Sequence, residues 1–444
     1  MSLLDLTARA LADAVQRGDA TPQAVAAETL ARAEARNPEI NAICHLNPAF
    51  EAEAEAVATR VAAGEVLPLA GVPVLIKDNI WVEGLRVAQG SRLFADHIAP
   101  KDAEAVKRLR DAGAMILGIA TCSEFACKGA TNSPLHGITR NPVNPDMGPG
   151  GSSGGSVAAV AAGIVPLALG TDAGGSSRRP PAHTGLYGLK PTQDLIPYGP
   201  SFDEPVWGIS VICPIARGMG DIALAMEVLA GIAPDAPDAV RIAVSADFGT
   251  GQAIDAEVAA NFEAVLAVLR AANVTLEPLD IDWGGIKGHE ILPLQFAGLA
   301  QAYGDVWQKT PDVFDPVIAQ QIETGLALSG VEVAAAHQVS HRMKTTLRGA
   351  LRRHGFIATP TTPCPAWPAK LSAPETIGGL PAGPRDHAAF TPQINHAGVP
   401  AISIPCGQTR DGLPLGLQLI AGPGQDAALL GLAQTLEPIL KQVT

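Results

Sequence analysis

The stretch from residue 148 to residue 178 constrains this chain more than any other. It begins GPGGSSGGS, passes through fourteen almost wholly apolar residues (156–169), and ends GTDAGGSSR. Glycine allows backbone conformations closed to other residues and lets a substrate approach the main chain. Serine supplies hydroxyls that donate, accept or, once activated, attack. Two Gly-Ser turns pinned to one buried segment describe a site made of backbone N–H groups and serine hydroxyls. A Gly-Ser string on its own suits a flexible linker. A linker is flanked by polar sequence, whereas this one runs into an apolar segment and is answered by a second Gly-Gly-Ser. The linker reading fails.

Bulk properties narrow the class. A length of 444 residues allows two or three domains, or one large α/β domain. The net charge of −13 argues against direct contact with nucleic acid or an anionic membrane, and leaves room for a basic protein partner or a homodimer. Six cysteines (Cys44, Cys122, Cys127, Cys213, Cys364, Cys406) contain no CxxC pair and read as small core residues of a reducing compartment. The N-terminus lacks the basic start and apolar core of a signal peptide. The longest apolar run is shorter than the ~20 residues that span a bilayer, and Pro166 interrupts it. A cytoplasmic protein, off the membrane, is the expectation.

Periodicity places the elements. Residues 3–36 read as two amphipathic helices broken at Gly18 and Asp19, the second starting at Thr21-Pro22. Residues 71–77 form a short continuous apolar run, a buried strand from which Lys77 and Asp78 emerge. A helix at 102–113 precedes a strand at 114–119, and 121–147 is a long structured loop of the kind that carries function. Further on, helices are expected at 219–231, 253–272 and 426–441, and a mainly helical stretch at 286–354. Strands are expected at 241–244, 274–279, 356–360, 399–405 and 415–421. Strands at both ends with helices between them mean that the late strands rejoin the early sheet in one large α/β domain.

Two catalytic motifs compete for the serines. Residues 151–155 match G-x-S-x-G, the nucleophile elbow of α/β-hydrolases, with His387 or His396 as a late base. That elbow must follow a strand, and three prolines in 140–149 oppose one. His337 and His341 stand four apart without the glutamate of a zinc-protease helix, so no metal is expected. Without a convincing histidine, Lys77 is the candidate base. A free lysine is protonated at neutral pH and needs burial to act, which the apolar run 72–76 supplies.

These residues carry a resemblance. The double Gly-Ser motif, GLKPT (188–192), PVLIKD (73–78), TPTTP (359–363) and GLPLGLQLI (412–420) follow the order of the amidase signature family from about residue 20 to 440. The resemblance implies a single domain over 1–444 with a central mixed β-sheet covered by helices on both faces. Within it lie N-terminal helices (about 3–60), a signature core (66–215), a helical segment (219–354) and C-terminal strands and helix (355–444). It implies a Ser–Ser–Lys triad in which Ser176 is the nucleophile, Ser152, after a cis peptide, the bridge, and Lys77 the base. The backbone N–H groups of Ala173, Gly174, Gly175 and Ser176 form the oxyanion hole. Ser153, Thr171, Asp172 and Arg178 support them, Arg178 pairing with Asp172, and Ala126 and Cys127 lie beside the nucleophile. The implied reaction hydrolyses a small carboxamide to a carboxylate and ammonia or an amine, with no cofactor.

Two departures bear on the substrate. In the glutaminase subunit of tRNA-dependent amidotransferases an arginine is expected to hold glutamine's carboxylate, and the comparable stretch here reads QQIETG (320–325). That counts against glutamine and makes the amidotransferase glutaminase the alternative. The second departure is Arg179, an extra arginine before Pro180. Malonamidase-like members place an arginine there for a substrate carboxylate, whereas the bland reading is a surface arginine. Residues 200–207 and 387–396 are candidates for the entrance. The outside alternatives are an α/β-hydrolase-type esterase and a dead scaffold.

Overall fold

The computed structural model describes residues 2–237 and 240–443; Met1 and Thr444, the ends of the expected domain, lie outside them. One mixed sheet joins eleven strands. In chain order they are β1 (Ile43–Leu46), β2 (Pro73–Lys77), β3 (Met115–Ala120), β4 (Leu167–Asp172), β5 (Tyr187–Lys190) and β6 (Val211–Ala216), followed by β7 (Arg241–Val244), β8 (Thr275–Pro278), β9 (Phe356–Pro360), β10 (Ala401–Gln408) and β11 (Pro414–Ile420). Across the sheet they run β1-β3-β2-β4-β6-β5-β10-β11-β9-β7-β8. The late strands β10 and β11 lie between β5 and β9, so the C-terminal part closes the sheet that the first half begins.

Both faces of the sheet are covered, and strand alternation shows it. Successive strand residues point to opposite faces. Ile242, Ala358, Ile402 and Leu419 join a large apolar cluster, and their chain neighbours Ala243, Ile357, Ala401 and Ile420 join a second. The first cluster also takes Leu224 and Leu229 from helix Met219–Ala230 and Leu430 from helix Asp426–Leu440; the second takes Met343 and Leu347 from helix Gly330–His354. Strands β2, β3 and β4 are buried along their whole length, as continuous apolar runs covered on two sides must be.

Local signals account for most boundaries. Thr7 caps helix Ala8–Arg17 and Gly18 ends it at φ 77°. Thr21 caps helix Pro22–Ile40 with proline in its first turn. The structure departs from the sequence reading in three places. The apolar run 156–169 is not one segment but the end of helix Gly154–Ala161, a turn at Gly163 (φ 73°), and the start of β4. Strands β1, β5 and β6 are not among those expected from the sequence. The loop 121–147 holds a short helical turn, Glu124–Ala126, and a two-stranded hairpin, Asn132–Ser133 with Gly137–Ile138. Among the described residues no helix is long and apolar enough to cross a membrane.

Candidate active site

Strands β2 and β4 run parallel with Ile76 opposite Leu169, so both end at the same edge of the sheet. The carboxyl ends of parallel strands are where α/β folds gather their ligands. Lys77, the last residue of β2, is fully buried. Its Nζ donates to Ser152 Oγ at 2.8 Å and to Thr171 Oγ1 at 2.8 Å, and lies 3.4 Å from Thr171 O. Asn79 Nδ2 reaches the same threonine hydroxyl at 3.1 Å. Burial pushes the Lys77 ammonium down to about 8, which brings the free amine within reach of neutral pH. The peptide bond between Gly151 and Ser152 is cis.

The second Gly-Ser turn is wound around the Asp172 carboxylate. Arg178 grips it twice, Nε to Oδ2 at 3.0 Å and a terminal nitrogen to Oδ1 at 2.9 Å, with both residues fully buried. The N–H groups of Gly175 (2.7 Å) and Ser177 (3.1 Å) and the amide of Asn395 (2.9 Å) also donate to it. Burial alone would raise the Asp172 carboxyl, but the Arg178 charge and these hydrogen bonds outweigh it and hold the group well below its usual range.

This winding decides which amides are free. The N–H groups of Ala173, Gly174 and Ser176 have no acceptor among the described residues, and all three residues line the main cleft. Gly175 departs from the expected four-amide hole, because its N–H is already given to Asp172. Its contribution is conformational: φ is 106°, and a Cβ there would lie 2.2 Å from Thr391 Oγ1. Ser176 is 7% exposed and faces the cleft, and its hydroxyl is not hydrogen-bonded to Ser152. Such bonds tighten when substrate binds. Ser153 Oγ lies 3.2 Å from Thr171 O and 3.2 Å from Ser177 Oγ, tying the two turns together.

The hydrolase-elbow alternative fails on this geometry. No strand leads into Gly151, and Ser153 is fully buried. His387 Nδ1 contacts Arg179 and His396 Nδ1 contacts Ser340, so neither histidine pairs with Ser153.

Ser176 opens onto a cleft shared with Ala173, Gly174 and Arg179. Ala126 and Cys127 form part of its wall, on a turn where Phe125 (φ 51°) and Ala126 (φ 57°) adopt left-handed backbone. Tyr303 stacks on Phe125 at 4.1 Å between ring centres. Both expected entrance segments contribute, through Phe202 and Val206 and through Ala388 and His396.

Arg179 is no surface residue. It is 2% exposed, donates to His387 Nδ1 at 2.6 Å and Gly151 O at 3.3 Å, and its Nε has no partner among the described residues. Among the described residues it has no carboxylate within salt-bridge distance, and burial first, then nearby Arg385, pushes it down to about 9.

Sequence reasoning missed Arg385, a lone arginine in an aperiodic loop that gave no signal. It also lines the cleft, donating to Gln295 Oε1 at 2.8 Å and Cys127 O at 3.2 Å. Gln295 in turn donates to Gln321 Oε1 at 2.6 Å. One cluster with metal-ligand chemistry, Cys44, Asp78 and His136, lies under the neighbouring loop, where Asp78 already accepts from Ala88 N, Gly90 N and His136.

A fold and site of this kind define a hydrolase of amide C–N bonds built on serine and lysine. A family model described as Amidase matches residues 24–430, and the chain belongs to the amidase signature family. It is 37% identical to a glutamyl-tRNA(Gln) amidotransferase subunit from Deinococcus deserti, over 98% of this chain and 97% of that one. Among solved structures it is similar to one described as an amidase (29% identity, TM-score 0.90, 98% and 100% of the two chains). It is also similar to the corresponding glutamyl-tRNA(Gln) amidotransferase subunit from Thermotoga maritima (25% identity, TM-score 0.80, 98% and 95%).

Proposed function

We propose that the protein hydrolyses a small, carboxylate-bearing carboxamide through an acyl-enzyme on Ser176. One observation carries the reading: a buried lysine with a lowered pKa touches Ser152, beside a serine flanked by unused backbone N–H groups. Neutral Lys77, held by Thr171, takes the Ser152 proton as Ser152 takes that of Ser176. The Ser176 oxygen attacks the amide carbonyl, and the N–H groups of Ala173, Gly174 and Ser176 receive the oxyanion. Preorganised donors of this kind are commonly the largest catalytic contribution. The proton passes back to the leaving nitrogen, the C–N bond breaks, and ammonia departs. Water then attacks the acyl-enzyme by the reverse relay. The expected anion preference rests on Arg179, a buried cation without a protein carboxylate.

Two members of this substrate class have support. The relatives' shared name favours glutamine, with the chain as the glutaminase subunit of a tRNA-dependent amidotransferase that works with partner subunits. The comparisons back this reading better than an independent amidase. The independent amidase draws on the higher TM-score to the solved amidase and on Gln320 and Gln321, where no arginine stands. Ammonia release from glutamine and from malonamate separates them. Glutamine turnover that requires added partner subunits supports the first, and malonamate turnover by the chain alone supports the second. Preference for a neutral aliphatic amide over both sinks the carboxylate assignment.

A further inference from the structure

The cleft holds a second guanidinium that the proposed reaction does not use. Only one terminal nitrogen of Arg385 is engaged among the described residues, by Gln295 Oε1 and Cys127 O, both neutral acceptors. Among the described residues its other N–H groups have no acceptor, and no carboxylate lies within salt-bridge distance. Of the acidic side chains that line the cleft, Asp386 contacts His289 at 3.1 Å, Glu204 accepts from the N–H groups of Gly208 and Ser210, and the exposed Asp203 makes no salt bridge with either arginine. Arg179, also without a carboxylate, feels the Arg385 charge as its second-largest influence. Two arginines therefore face one cleft with no anion between them.

Arg179 is buried, and burying unpaired positive charge is unfavourable unless an anion completes the site; Arg385 is half-buried and presents its charge to the same cleft. The supporting residues are ordered for it. Gln295 turns its oxygen toward Arg385 because its NH₂ is taken by Gln321 Oε1 and, at 3.1 Å, by Cys127 O. Gln321 is buried behind it on helix Pro316–Ala327. This chain of amides fixes one terminal nitrogen of the guanidinium and leaves its Nε–H and its other NH₂ unclaimed, so that a carboxylate can accept a charge-assisted hydrogen bond from them.

We propose that Arg385, oriented by Gln295 and Gln321, is a specificity-determining residue that binds the substrate's carboxylate in the cleft between itself and Arg179; this rests on the amide-hydrolase reading above. The glutamines at 320 and 321 then lose their weight against glutamine. A guanidinium from another element is linked through Gln295 to the stretch where that arginine is missing, and Gln321 serves as its support.

The test compares kcat/KM for an anionic amide (malonamate or glutamine, whichever the enzyme turns over) with that for a neutral amide of similar length. Inhibition by malonate and succinate is measured alongside. In Arg385→Ala the anionic-to-neutral ratio falls at least about tenfold, mainly through KM, and the inhibition constants of both dianions rise, as loss of a charge-assisted contact implies. Arg385→Lys, which keeps the charge without the fork, falls between. Should Arg385→Ala fail to fold, Gln295→Glu places a carboxylate on the guanidinium and should lower the same ratio. An unchanged ratio with unchanged inhibition overturns the clamp while Ser176-dependent ammonia release leaves the amidase reading standing. Absence of any Ser176-dependent hydrolysis overturns that reading instead.

Discussion

In the proposed relay Lys77 must be neutral to accept a proton, so its burial sets the pH response. With the ammonium at about 8, roughly a tenth is free amine at pH 7, and the fraction grows as pH rises. The kcat/KM profile should climb with pH and level off above about 8. A profile that falls through that range would contradict Lys77 as base. Lys77→Met should lower kcat by about 10³-fold or more. The adjacent arginines should behave oppositely. Arg178→Met strands the Asp172 carboxylate without its partner and should lose about 3–5 kcal/mol, read from the denaturant midpoint. Arg179→Met removes a buried cation that has no protein carboxylate, and stability should hold or rise. At this scale Lys77, Ser152, Ser176 and Arg178 were legible as candidates through the amidase-signature motifs they sit in, whereas Lys77 on its own reads as a strand-end lysine. Arg385 was not, because an arginine in an aperiodic loop resembles any solvated one until the chain folds around it.

At the scale of elements, the turn after β4 is the part whose shape matters most. It wraps Asp172 so that the Gly175 and Ser177 amides are given to the carboxylate, while those of the cleft-lining Ala173, Gly174 and Ser176 have no acceptor among the described residues. Gly175→Ala places a Cβ on Thr391 at a φ that alanine rarely adopts. It should lower kcat by about a hundredfold, as misplacement of a catalytic group by an ångström does. Circular dichroism checks that the fold survives. The sequence showed that two turns bracket an apolar segment, but not that the segment changes from helix to strand within it. A buried helix and a buried strand are both continuously apolar, and periodicity cannot separate them. Nor could it say which amides a carboxylate would claim, since that depends on where Asp172 points.

At the scale of the molecule, strands far apart in sequence build one sheet, with β10 and β11 between β5 and β9. Asn395 and Gln418 from that late part reach Asp172 and Arg178 across the sheet (2.9 and 2.8 Å), so the C-terminal third completes the site. We expect the chain to unfold as one unit, with coincident far-ultraviolet and tryptophan-fluorescence transitions; two separated transitions would speak for independent domains. The late strands' return was legible from their placement at both ends of the chain, whereas their order in the sheet was not, because no local pattern encodes a long-range neighbour. The account's central claim is amide hydrolysis at Ser176, and the most direct test is ammonia release by the purified protein from malonamate, glutamine, an aliphatic amide and an aromatic amide, with and without amidotransferase partner subunits and with Ser176→Ala as the blank. The account predicts release from a carboxylate-bearing amide that falls at least about 10³-fold in the variant. Equal release by both proteins, or none from any amide under any of these conditions, would contradict it.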